Sequence, residues 1–363
     1  MKPAASCQAE RSVDSLAVWS PLWEVAVLID VTYGRPGLAI GADARKAEAI
    51  GFDGCWVGET NSDPFLKALE AAQTTSAVAI GTAVAIAFAR TPMTLAYSGH
   101  DLARAAQGRF ILGLGSQVKS HIERRFSMPW SRPAERMREL ILATRAIWDA
   151  WETGTDLAFQ GEFYDHTLMT PFFSPDVHEF GPPPIYLAAV GQRMTTVAGE
   201  VADGLIFHPF TTARYLSEVT LPALHKGATN RPHSSQDHTV AVCGPVFACI
   251  GRDQDELDGA IAASRKQLAF YASTPSYRAV LDLHGWGELQ PELTRLSKLG
   301  DWEAMGSLIG DDVLAGFAVI GDPEDVAVQL KERWGLLADR ISLYTPYEVE
   351  SQSLERLIAA FPR

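Results

Sequence analysis

The chain has 363 residues, a formal net charge of −13, 47% hydrophobic residues and 21% charged residues. Such a composition buries a large core and excludes a disordered chain, and the acidic balance argues against a nucleic-acid or anionic-membrane partner, since each needs a basic face. The length fits two ordinary domains or one α/β barrel. The cysteines Cys7, Cys55, Cys243 and Cys249 form no CxxC pair, so a reducing compartment without a disulfide framework is expected. No signal peptide or membrane span is expected either, which points to a soluble, cytoplasmic protein.

Residues 1 to about 20 lack periodicity and read as a loose extension. After Pro21, short apolar runs that read as buried strands alternate with longer amphipathic or Ala-rich runs that read as helices. The first strand falls at Glu24 to Ile29, with a helix near 38–50; the second at Gly54 to Val57, with a helix near 65–77. The third covers Val78 to Ala87, and the next helix starts at Thr91-Pro92, a cap and first-turn pair. The fourth covers Phe110 to Leu114, with a helix at 133–150. Residues 154–184 break the rhythm with a small hairpin in "FQGEFYDH" and Pro-rich loops. Strands at Ile185 to Ala189, Gly204 to Phe207 and Val240 to Ile250 follow, with helices at 193–201, 213–227 and 256–271. A second irregular insertion spans 272–316, then a helix at 323–336, a strand at Ile341 to Tyr344 and a closing helix at 354–360.

Eight strands in strict βα alternation predict parallel pairing and right-handed crossovers, and so a single (β/α)8 TIM barrel covering 21–363, with insertions after the fourth and seventh βα units. The site of such a barrel lies at the carboxyl ends of the strands. Those ends are Asp30, Glu59 and Thr60, Ala85 to Arg90, Ser116 and Gln117, Val190 to Gln192, His208, Gly251, and Tyr344 to Pro346. Glu59 is a candidate general acid or base, or a partner of a barrel Arg or Lys. "GLGSQ" starts a GxGxxG pattern but has Val118 at the third position, so it reads as a sharp turn or as close approach to a ligand. Gly191 opens a helix whose free amides, with Gln192 and Arg193, form either a phosphate site or a plain βα turn. His208 is a candidate ligand donor, and Thr211 and Thr212 can cap a helix or bind phosphate. His121 joins Glu59 and His208 as a candidate for proton transfer. Tyr271, Tyr277, Trp286 and Trp302 either wall an apolar substrate or belong to the core. No metal cluster, nucleophile elbow or Walker loop is present as a sequence motif.

"GFDGCWVGE", "IGTAVAIAFARTPMTLA", "GRFILGLGSQVKSHIERRFSMPW", "PIYLAAVGQRMTTVAGEVADGLIFHPF" and "FAVIGDPEDV" together resemble the bacterial luciferase-like monooxygenase family. The resemblance is to its coenzyme F420-dependent oxidoreductase branch, from about Trp23 to Tyr347. It implies a barrel holding a deazaflavin in its mouth, and hydride transfer to or from a small organic substrate. It places a bulge of the third strand, with a non-proline cis peptide, at Ala83-Val84. It also implies cofactor contacts at Glu59 and Thr60, at Gly115, Ser116 and Gln117, at Val190 and Gly191, and at Thr211 and Thr212. The family's common Asp-His pair is Glu59-Thr60 here, one loop glycine is absent beside Gly191, and Val118 falls near the family's glutamate acid. The alternatives are an FMN-dependent monooxygenase, a partner reductase supplying reduced flavin or F420, and a non-catalytic flavin-binding barrel. Family analogy implies a homodimer.

Overall fold

The computed structural model describes residues 27–33, 39–231 and 239–361. The expected extension at 1–20 and the first residues of the expected first strand lie outside them. Eight parallel strands close a ring: Leu28–Tyr33, Gly54–Val57, Ala79–Thr82, Phe110–Gly115, Ile185–Ala189, Gly204–Phe207, Ala241–Ile250 and Arg340–Tyr344. Closure comes from the long seventh strand. It pairs with the sixth through Ala241 to Cys243, and with the eighth through Cys243 to Phe247. Helices surround this barrel, and several start where the sequence supplies an acceptor. Asp63, Asp253 and Asp322 each cap a helix, and Thr91 and Thr94 form a capping box before Pro92–Ala105.

Large and small residues alternate around the barrel interior. A Cβ on Gly81 would lie 2.2 Å from Trp56 and one on Gly204 2.6 Å from Tyr186; on the outer face, where Phe207 stacks on Trp334, one on Gly244 would lie 2.5 Å from Phe207. Each glycine thus makes room for an aromatic ring from a neighbouring strand. Asp30 is not at the mouth, as the expected strand limits had it. The first strand runs on to Tyr33, and Asp30 pairs in register with Gly54, the first residue of the second strand. Its fully buried carboxylate accepts two hydrogen bonds from Arg340 (2.7 and 2.8 Å) and one from Trp56 Nε1 (2.8 Å), closing the amino-terminal end.

Four other expectations change. The third strand is not one run over 78–87: it breaks after Thr82 and resumes at Ala85–Ile86. A short strand, Ala318–Gly321, was not expected. Phe247 pairs with Tyr344 on one side and Ala318 on the other, so this strand extends the edge that Gly204–Phe207 occupies lower down. The segment 272–316 is helical, with Arg278–Leu283, Leu289–Leu299, Trp302–Ser307 and Asp311–Phe317, all but the second too short for a period to stand out in sequence. The helix expected over 213–227 is broken by a π turn at Leu216–Thr220, next to Pro222, which lacks the amide needed for a regular ladder. The segment 154–184 carries the expected hairpin, Phe159–Gln160 with Asp165–His166. Tyr97 and Arg104 tie it to the barrel by donating to the carbonyls of Phe173 and Asp176.

Candidate functional site at the barrel mouth

In a ring of eight, the third strand stands opposite the seventh, so the mouth has two unlike halves. One half is built on the third to fifth strands. Gly81 pairs with Ile111 and Ala85 with Leu114, so four residues oppose three and one extra residue is bulged. The bulge is Ala83-Val84, whose peptide is cis. The gap in the ladder is filled by Thr82, a residue that sequence reasoning did not single out. Its buried hydroxyl donates to the Gly113 carbonyl (2.7 Å) and accepts from the Gly113 amide (2.9 Å). The only sequence signal was a hydroxyl in an otherwise apolar run. A Cβ on Gly115 would lie 2.5 Å from Val84 Cγ2, so this glycine first makes room for Val84.

Glu59 follows the second strand, and the structure gives it the second of its two expected roles. One carboxylate oxygen accepts from the Ile86 amide (2.7 Å) and from Arg90 Nη1 (2.6 Å). Arg90 also donates to Asp63 (2.9 Å) and lies over Phe65. Glu59 therefore braces the strand beyond the bulge. Thr60 is exposed at the rim, and its carbonyl accepts from Arg125. At the end of the fourth strand, Ser116 donates to the Gln117 carbonyl (3.0 Å). Gln117 has φ 59°, a left-handed conformation that a non-glycine residue adopts at a cost of order 1 kcal/mol or more, and its side-chain oxygen accepts from the Val118 amide (2.9 Å). His121 is exposed on the short helix Lys119–Arg124, whose buried residue is Ile122, so the structure does not gather it with Glu59 and His208.

Val190 follows the fifth strand, and Gly191 is the N-cap of Gln192–Val201 with no side-chain cap. The orphan amides of this first turn open on a cleft of about 550 Å³ lined by Arg132 to Glu135 and Gly191 to Met194. Above Gly191 nothing lies within 4 Å of a Cβ position. Arg193 is exposed and pairs with Glu135 at 2.6 Å.

The other half of the mouth is aromatic. His208 follows the sixth strand, stacks on Tyr277 (ring centroids 4.6 Å) and meets the edge of Tyr271 (4.8 Å). Tyr271 hydrogen-bonds Tyr344, the last residue of the eighth strand, at 2.6 Å. Burial pushes the His208 imidazole down to about 4, so it is neutral at pH 7. Burial, with a contribution from Tyr271, pushes the Tyr277 phenol up to about 12. Thr212 caps the next helical turn by accepting from the Tyr215 amide (3.0 Å) and contacts His284 Nε2 (2.8 Å). Thr211 Oγ1 is buried with no protein partner among the described residues. Of the four aromatics expected as a wall, Tyr271 and Tyr277 are at the mouth. Trp286 packs behind them on Phe317 and His284, and Trp302 is half exposed beside Phe270.

The family model for luciferase-like monooxygenase matches residues 31–340. An uncharacterized protein of Mycobacterium tuberculosis is 52% identical over 306 residues, covering 84% of this chain and 89% of that protein. The 5,10-methylenetetrahydromethanopterin reductase of Methanolobus tindarius is 25% identical over 334 residues, covering 91% and 97%. Among solved structures, the coenzyme F420 dependent tetrahydromethanopterin reductase from Methanopyrus kandleri superposes with a TM-score of 0.74 at 20% identity, covering 92% and 97%. Among the described residues, no helix is long and apolar enough to cross a membrane.

Proposed function

Because the chain belongs to the luciferase-like monooxygenase family, we propose that it is a coenzyme F420-dependent oxidoreductase acting on a small organic substrate. The observation that carries the reading is the uncapped start of Gln192–Val201, which faces a cleft with Arg132 and Arg193 on its walls. A phosphate-bearing group suits those donors, because free amides and the positive helix end favour an anion. The cleft volume of about 550 Å³ is of the size that ligand sites use. The buried, unpartnered Thr211 hydroxyl adds a polar atom that lacks a protein partner among the described residues.

On this reading Gly191, Gln192 and Arg193 hold the phosphate, with Val190 joining them to the strand beneath. Ala83 and Val84 back a flat ring, and Gly115, Ser116 and Gln117 border it. Glu59 and Arg90 keep the bulge in place from behind. Thr82 and Gly113 lock the same bulge to the fourth strand. When bound, the deazaflavin supplies a ring carbon that accepts or donates a hydride. The substrate then lies between the ring and the aromatic half of the mouth, where Tyr271, Tyr277 and Tyr344 limit access of water.

Titration with F420 and, separately, with FMN, followed by absorbance and fluorescence, tests the proposal. We expect saturable binding of F420 with a Kd at least tenfold below that of FMN. Tight FMN with no F420 uptake would instead favour a flavin monooxygenase and overturn the reading.

A further inference from the structure

His208 carries information about its own proton. The Phe210 amide donates to His208 Nδ1 at 3.0 Å. A backbone N–H is always a donor, so Nδ1 presents a lone pair and the single proton of the neutral ring sits on Nε2. That Nε2 lies 3.1 Å from Tyr277 Oη. Its N–H therefore donates to the phenol oxygen, and the phenol's own hydrogen is turned elsewhere. Among the described residues no acceptor receives it.

The surroundings restrict what can receive it. His208, Tyr271 and Tyr344 all belong to the mouth, since His208 and Tyr344 sit at the carboxyl ends of the sixth and eighth strands. Phe210 and Phe247 pack beneath them. The hydroxyls and the imidazole of this half are all neutral hydrogen-bonding groups, so an anion or cation placed here would be desolvated without a counter-charge. An uncharged oxygen would find a donor of matched strength. The proton-transfer candidates Glu59 and His121 are both unsuited to this side: Glu59 is held by Arg90 and Ile86, and His121 is on the surface.

We propose that Tyr277, held by the Nε2–H of His208, donates its hydrogen bond to the oxygen of an uncharged ketone or aldehyde substrate and supplies the proton that this oxygen takes up on reduction. This rests on the F420-dependent reading above. The carbonyl carbon gains a hydride from reduced F420 as the C=O π bond breaks, and the oxygen gains the Tyr277 proton. The product is an alcohol, the carbonyl is reduced, F420 is oxidised with loss of its ring N–H proton to water, and the tyrosinate regains a proton from water. Tyr277 is then a catalytic residue and His208 a positioning residue.

The test uses the full chain loaded with F420, and cyclohexanone labelled with 13C at its carbonyl. F420 affinity is measured first by absorbance in the native protein and in Tyr277→Phe, and should agree within about twofold. In the native complex the carbonyl resonance should move downfield on binding, and this shift should vanish in Tyr277→Phe. With reduced F420, kcat for the same ketone should fall about 10²- to 10⁴-fold in Tyr277→Phe, the range of a lost general acid, with a smaller change in KM. His208→Gln, which keeps an N–H donor, should retain kcat within about tenfold, whereas His208→Phe should match Tyr277→Phe. No F420 uptake by the native protein overturns the parent reading and this one with it. Normal uptake without a carbonyl shift, or with the shift and kcat unchanged in Tyr277→Phe, overturns this inference alone.

Discussion

Replacing Thr82 with Val tests how the bulge is held. Valine has nearly the shape of threonine, so the substitution leaves no cavity and removes only the hydroxyl. That hydroxyl serves both polar groups of Gly113, at 2.7 and 2.9 Å, in a site with no solvent exposure. A buried group left without a partner costs about 1–3 kcal/mol. The amide bears the larger loss, because the carbonyl keeps a second lone pair, so about 2–4 kcal/mol is expected in all. For a chain of 363 residues the unfolding entropy is about 0.8 kcal/mol/K, and the change corresponds to a fall in Tm of about 3–5 °C. Scanning calorimetry of Thr82→Val and Thr82→Ser measures it. Thr82→Ser keeps the hydroxyl and should lose less than half as much. A Tm for Thr82→Val within about 1 °C of the native protein, or equal to that of Thr82→Ser, would refute the argument, since the hydroxyl would then carry no structural weight.

Two further outcomes follow from the mouth. Gly115→Ala should force Val84 aside, because the new Cβ would lie 2.5 Å from its Cγ2, and should raise the F420 Kd about tenfold in a fluorescence titration, equivalent to about 1.4 kcal/mol. Adding Val84→Ala should restore affinity, and equal Kd values for Gly115→Ala and the native protein would count against the placement. Acid should destabilise the protein through His208: its folded pKa of about 4 lies below the ordinary 6.5, so the unfolded chain binds the proton first as pH falls. The contribution of about 3 kcal/mol is complete above pH 6.5 and is lost between there and pH 4. Denaturant melts across that window should therefore show a shallower pH slope in His208→Gln, and parallel slopes would show that the imidazole is not held neutral by burial.

The sequence by itself determined the barrel. Short continuous apolar runs such as "FILGLG" and "GLIF" read as strands covered on both faces, and their strict alternation with helices leaves parallel pairing as the solution. Helix starts were equally local, because a cap such as Thr91-Pro92 or Asp322-Pro323 acts within one turn. Most residues at the ends of the strands could be named for the same reason, Asp30 being the exception because its strand runs on to Tyr33. What those residues do was decided by tertiary structure. Glu59 met Arg90 only because the second and third strands pair, 31 positions apart in the chain, and that contact made a candidate acid into a brace. The break in the third strand depends on its register against the fourth, which no single strand carries. His208 and Tyr277 lie 69 residues apart and meet because a helical segment that resembled an irregular insertion folds back over the mouth. Periodicity and capping are properties of neighbours along the chain, whereas pairing, register and the partner of a buried polar atom are set by residues brought together only when the ring closes.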